Sequence, residues 1–272
     1  MSYKITYRQQ AKFDELKAFH FEECPSIEWE KEAVEPFSKN ELGPNEKVWV
    51  EKELNYNPSF IPRKIGLSKI VTTYLRFNKK RGSKVDCSLY RNWEQQYPLV
   101  KSMLEGDQES WREVVKTHAT FHKRPQIAEA YSLHVHNANI IECDVYLHTL
   151  EKMIPSRIEK VTKRGNVRYH DMPKTKRYEL YESYVYSCLN KITNDLFAVL
   201  PCHSIFINGV TGTYENHLPI LSSLIERKRH QQKRCPKRTI ERHRHMVTFK
   251  KRSGFYPLNR VYSPQVLFSK EL

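Results

Sequence analysis

A chain of 272 residues with a formal net charge of +15, 39% hydrophobic and 12% aromatic side chains holds one large domain or two small ones, and is too aromatic to stay disordered. No stretch approaches the roughly 18 consecutive apolar residues of a membrane span, and the opening MSYKITYRQQ lacks the apolar core of a secretory signal. The cysteines at 24, 87, 143, 188, 202 and 235 form no CxxC pair, which implies free thiols in a reducing compartment and a cytoplasmic protein.

The first 122 residues read as a mostly helical, partly acidic lobe. YKITY, residues 3 to 7, has the pattern of a short strand. Phe13, Leu16, Phe19 and His20 fall near helical spacing over 9 to 23, and Cys24-Pro25 ends that helix. Ser26 is placed to cap a second helix that Pro36 stops. Residues 40 to 65 read as an ordered loop with one helical piece. LSKIVTTYLRF, 67 to 77, fits a strand or a buried helix equally well. Helices are expected over 89 to 104 and 108 to 122, separated by Gly106-Asp107, with Asp107 as N-cap.

Residues 123 to 272 read as an α+β sheet domain. SLHVHNANIIECDVYLH alternates polar and apolar residues around Asn-Ala-Asn, the pattern of a β-hairpin. RIEKV, a KRGN turn and NVRYH form a second extended pair. From Lys176 to Leu200, Tyr181, Val185, Cys188, Leu189, Ile192, Leu196 and Val199 mark a long amphipathic helix. HSIFINGV and PILSSLIE follow as strands. The order hairpin, helix, strand, strand favours α+β with a mixed or antiparallel sheet over a doubly wound fold.

Charge is distributed unevenly. Residues 14 to 54 carry twelve acidic and five basic side chains, whereas 226 to 252 carry twelve Lys or Arg against two Glu, a net +10. Cations at that density release condensed counterions when they meet phosphates, and this release supplies most of the affinity of non-specific nucleic-acid binding. The candidate phosphate contacts are Arg227, Lys228, Arg229, Lys233, Arg234, Lys237, Arg238, Arg242, Arg244, Lys250, Lys251 and Arg252.

Chemistry is harder to locate. Alternation places His134 with His136 on one hairpin strand, and Glu142, Asp144 and His148 together on the other. If the register allows, five oxygen and nitrogen donors converge as a divalent-metal site. The competing reading is the polar outer face of a half-buried sheet. His230, Cys235, His243 and His245, with Cys202 and His203 upstream, match no zinc-ribbon spacing. In LSSLIERK the serines stand where a metal-dependent nuclease needs an acid, and Glu226-x-Lys228 comes only at the strand's end. Eight glycines form no Walker-type loop, and no cofactor is expected.

The words GDQESWREVV, IIECDVYLH, MIPSRIEKVTKRG, ELYESYVYSCLNKITNDLF, IFINGV and PILSSL occur in an order that resembles a conserved region accompanying Mrr-type restriction endonucleases and related bacterial phage-defence proteins. The likeness covers about residues 106 to 225. It implies a DNA-associated defence component. The acid-x-lysine nuclease motif of those relatives is missing, so the resemblance transfers no catalytic residue and implies a catalytic partner on another chain. The expectation is a non-catalytic nucleic-acid-binding accessory subunit. A metal-dependent nuclease, or a structural protein docking a catalytic partner, is the alternative.

Overall fold

The structure is a computed structural model that describes residues 4–57, 67–162, 164–211, 219–230 and 235–258. It is α+β and comprises two compact units, one formed by 28–104 and the other by 1–27 with 105–272.

In chain order, β1 (Lys4–Ile5) leads into α1 (Tyr7–Ala18) and a 3₁₀ turn at Phe19–Phe21. The smaller unit follows with α2 (Trp29–Glu32), α3 (Pro44–Leu54) and α4 (Leu67–Glu105). The larger unit resumes with α5 (Gln108–His118), the hairpin β2 (Ala130–Asn137) and β3 (Ile140–Tyr146), and α6 (Leu150–Met153). A second hairpin, β4 (Arg157–Val161) and β5 (Val167–Asp171), precedes α7 (Lys174–Val199). Last come β6 (Ser204–Val210), β7 (Pro219–Glu226), a 3₁₀ turn at Arg227–Arg229, α8 (Pro236–Glu241), β8 (Arg244–Val247), β9 (Phe249–Lys250) and β10 (Gly254–Phe255).

The main sheet has the order β2-β3-β6-β7-β8, and every neighbouring pair is antiparallel except β3 with β6. That parallel pair requires a crossover, and α7 is its long element. Ile141, Cys143 and Val145 share the face of Ile205, Ile207 and Gly209, all apolar, and α7 lies on this side. A Cβ at Gly209 would come within 3.1 Å of Leu189 Cδ1, so glycine lets the helix approach closely. The opposite face carries Glu142, Asp144, Asn208 and Ser222. β1, β4 and β5 make a separate three-stranded sheet.

α7 is the core of the larger unit, buried without interruption from Tyr184 to Leu200. It is covered by β6 on one side and by α1, α5, α6 and α8 elsewhere. A helix buried all round must satisfy every polar group it carries. Lys191 Nζ therefore donates to Glu22 O, Thr120 Oγ1 and Asp195 Oδ1, while Asp195 Oδ2 accepts from Thr120 N, Thr120 Oγ1 and Phe121 N. The polar pair thus ties the segment after α1 and the turn after α5 to one helix.

In the smaller unit, residues 67 to 77 and 89 to 104, read separately in the sequence, belong to the single helix α4. Its termination at Gly106, with φ +78°, is a left-handed stop that glycine adopts readily. Asp86 on α4 accepts from Asn45 N at 3.2 Å, Asn45 Nδ2 at 2.7 Å and Glu46 N at 2.8 Å. It satisfies donors that the first turn of α3 leaves open. One turn earlier Gly82 admits the α3 backbone, since a Cβ there would lie 2.9 Å from Asn45 C and O.

Other local expectations needed adjustment. The helix placed between Ser26 and Pro36 is only Trp29–Glu32, and the one placed over 108 to 122 ends at His118. Asp107 caps α5 as expected, accepting from Ser110 N at 2.8 Å.

Candidate nucleic-acid interface

The basic segment runs along α7. Arg227 lies at the C-terminal end of that helix, where backbone carbonyls lack intrahelical donors. Its guanidinium donates to Phe197 O at 2.7 Å, Leu200 O at 2.5 Å and Cys202 O at 2.8 Å, and sits 4.8 Å from the Phe197 ring centroid. His230 Nε2 meets Asn194 Oδ1 at 2.5 Å. Further toward the helix N-terminus, Lys237 pairs with Glu182 at 2.7 Å and lies 5.8 Å from the Tyr186 ring centroid. Lys251 pairs with Glu179 at 3.5 Å. The anchors therefore span positions 179 to 197 of α7, about 27 Å at the helical rise.

These contacts sort the twelve candidate cations. Arg227 caps the helix with its guanidinium, donating to three backbone carbonyls. Arg229 pairs with Glu226 at 3.1 Å, and Lys237 and Lys251 pair with glutamates of α7. Lys228, Arg238, Arg242, Arg244, Lys250 and Arg252 are exposed. Of these, Lys228, Arg238 and Arg252 make no ion pair among the described residues, and Lys250 lies 5.1 Å from the Tyr256 ring centroid. Lys233 and Arg234 lie outside the described residues.

Neutral imidazoles lie under this cationic surface. Burial, with the positive field of Arg227 and the neighbouring His243, lowers the His230 pKa to about 4. Burial also lowers that of His243, against the opposing pull of Glu226. The two ring centroids are 6.5 Å apart. His243 Nδ1 accepts from Glu226 N at 3.3 Å. His230 Nδ1 and His243 Nε2 are buried and have no hydrogen-bond partner among the described residues.

The hairpin brings together four of the five proposed metal donors. Asn139 N donates to Asn137 Oδ1 at 2.8 Å in the turn, as the Asn-Ala-Asn sequence predicts. The rings of His134 and His136 are 4.5 Å apart, and His136 Nε2 is 3.3 Å from Glu142 Oε2. Asn208 Nδ2 bridges Glu142 Oε1 at 3.0 Å and Asp144 Oδ1 at 2.8 Å, and its own Oδ1 accepts from Ser222 Oγ at 2.6 Å. The carboxylates are thus held by an amide that no local pattern in the chain singles out. Burial, aided by the neighbouring His134, lowers the His136 pKa against the opposing pull of Glu142. His148 does not join them. β3 ends at Tyr146, so strand alternation no longer governs position 148, and its ring meets Glu129 Oε1 at 2.9 Å and Pro125 O at 2.5 Å. Among the described residues no group of three or more His, Cys, Asp or Glu is arranged to hold a metal ion.

A second cationic surface escaped the sequence reading. Arg76, Lys80, Lys84 and Arg91 follow one another along α4 at helical spacing and, with Lys79, line a groove of about 610 Å³. The signal was available as basic residues three and four apart, but it needs the helix to be known first.

No helix among the described residues is long and apolar enough to cross a membrane. No family model, curated protein or solved structure matches the chain.

Proposed function

We propose that this chain is a non-catalytic nucleic-acid-binding subunit that grips the phosphate backbone, most naturally of DNA, through the basic segment laid along α7. The observation that carries it is the exposed set Lys228, Arg238 and Arg252, which have no carboxylate partner among the described residues although Glu179, Glu182 and Glu226 each bind a neighbouring cation. These side chains stay presented outward while neighbouring cations pair with the acids in reach. Catalysis then belongs to a partner chain, in a bacterial defence setting of the kind that the word order from 106 to 225 resembles. The six free cysteines support cytoplasmic residence.

The test is fluorescence anisotropy with a labelled duplex across a salt series. Each phosphate neutralised contributes about 0.9 to the slope of log K against log salt. Reversing Lys228, Arg238 and Arg252 to Glu is expected to weaken binding at least tenfold and to reduce that slope by about 3. Affinity independent of salt would remove the proposal. Cleavage of the duplex with Mg²⁺ or Mn²⁺ that is abolished by Asp144→Ala would replace it with the nuclease reading.

A further inference from the structure

We infer that the smaller unit carries a second, independent phosphate-binding site in the groove along α4, and that its ligand is a nucleic-acid duplex. The groove is lined by Arg76, Lys79, Lys80, Lys84 and Arg91, with one carboxylate, Glu46, on its wall. Arg76 and Lys79 share Glu53, at 3.4 and 3.7 Å. Lys80, Lys84 and Arg91 are exposed and make no ion pair among the described residues. The only carboxylate that α4 itself contributes between Arg76 and Arg91, that of Asp86, is buried and occupied in capping α3. It leaves the surface charge of this stretch uncompensated from within the helix.

Geometry favours a duplex over a single strand. Arg76 to Arg91 spans about 22 Å of helix at 1.5 Å per residue, and a strand of B-form duplex places a phosphate every ~3.4 Å along its axis. Cations spread over that length can reach phosphates on both sides of a duplex groove. They are fixed on one continuous α-helix, a straight element suited to a regular groove or backbone ridge. Between the cations stand Ser83, Cys87 and Ser88, short side chains that let a phosphate ridge come close to the helix surface. With the larger unit's segment, the chain then holds nucleic acid at two places. Linked sites of that kind bind far more tightly than either alone when both engage one duplex.

The experiment uses the full chain and a labelled 20-base-pair duplex, with single strands of the same sequence in a parallel arm. Lys80→Glu, Lys84→Glu and Arg91→Glu are combined in one variant, and circular dichroism and urea unfolding establish that it folds. A matched variant reverses Lys31, Lys39 and Lys52, which lie in the same unit outside the groove and change net charge equally. The groove variant is expected to lose at least tenfold in duplex affinity and about 3 in salt slope, the matched variant less than twofold, and the Lys→Arg version of the groove variant nothing. Equal losses in groove and matched variants, or no loss in the groove variant, overturn the inference. So does displacement of the duplex by polyglutamate at equal charge concentration, which identifies an acidic protein as the ligand, or tighter binding of the single strands. Because the Lys228/Arg238/Arg252 variant is measured separately, loss of one site is distinguishable from loss of the other.

Discussion

Lys191 and Asp195 stand one turn apart on α7 with 2.7 Å between Nζ and Oδ1, and neither side chain reaches solvent. Breaking a buried pair by removing one partner costs ~3–5 kcal/mol, but the two removals are not equivalent. Lys191→Met leaves Asp195 with the Thr120 and Phe121 amides still donating to it. Asp195→Leu leaves a buried ammonium and orphans both amides, each worth a further ~1–3 kcal/mol. Urea unfolding is expected to rank Asp195→Leu as the more damaging, and the reverse order would refute the division of labour described for the pair.

Arg227 separates architecture from binding. Its guanidinium caps the C-terminal end of α7 with three carbonyl acceptors, and hydrogen bonds from charged donors are worth ~1.5–3 kcal/mol each before water replaces part of them. Arg227→Ala is expected to lower unfolding free energy by about 2–3 kcal/mol while leaving the salt slope for duplex binding unchanged. Arg238→Ala is expected to do the opposite. A reduced slope for Arg227→Ala would place that residue among the phosphate contacts.

Acid weakens the anchoring of the segment. The native His230 imidazole takes its proton near pH 4, while an unfolded histidine does so near 6.5. Falling pH therefore favours the unfolded chain throughout that window, and the loss from this group ends below it. The displacement corresponds to about 3 kcal/mol at most. His243 acts in the same direction. The measurement is urea unfolding at pH 7.5, 5.5 and 4.5, with a shallower pH dependence expected for His230→Asn. An identical dependence in wild type and variant would show that the histidine does not contribute.

Gly82→Ala tests the seat of α3. In an exposed helix interior this change normally stabilises by ~1 kcal/mol. Here the new Cβ would lie 2.9 Å from the Asn45 backbone, and the fixed partner cannot move without dislodging the Asp86 cap. Net destabilisation of the 28–104 unit is expected, seen as earlier loss of amide-exchange protection in α3 and the middle of α4. Increased protection would contradict the close approach.

The larger unit was legible in the sequence because its strands alternate and α7 has its apolar residues at helical spacing. There Val185, Leu189, Ile192 and Leu196 are buried as their spacing predicts, but so are Asn190, Lys191, Asn194 and Asp195 on the polar side, because neighbouring elements cover the helix all round. α4 defeated the same logic. In its first stretch Ile70, Tyr74 and Phe77 are exposed, at 66%, 58% and 66%, while Leu75 is buried, so the pattern did not mark a core face there. The density of cations in 226–252 was plain, yet which of them bind protein groups was not. Arg227 and Lys237 are assigned by carbonyls and a glutamate from residues 25 to 55 positions away. Likewise Asn208 joins Glu142 and Asp144 only because β6 pairs parallel with β3, a register that no local pattern reveals.

That parallel pairing also dictates an order of assembly. β2 pairs with β3 and β6 with β7, neighbours in the chain, whereas Asp144 meets Asn208 across 64 positions. Bringing such distant partners together costs chain entropy that is recovered only when α7 settles on the joined strands. The two hairpins are therefore expected to pair before β3 meets β6. Substitutions at that seam, Gly209 above all, are expected to slow refolding more than changes of equal cost within either hairpin.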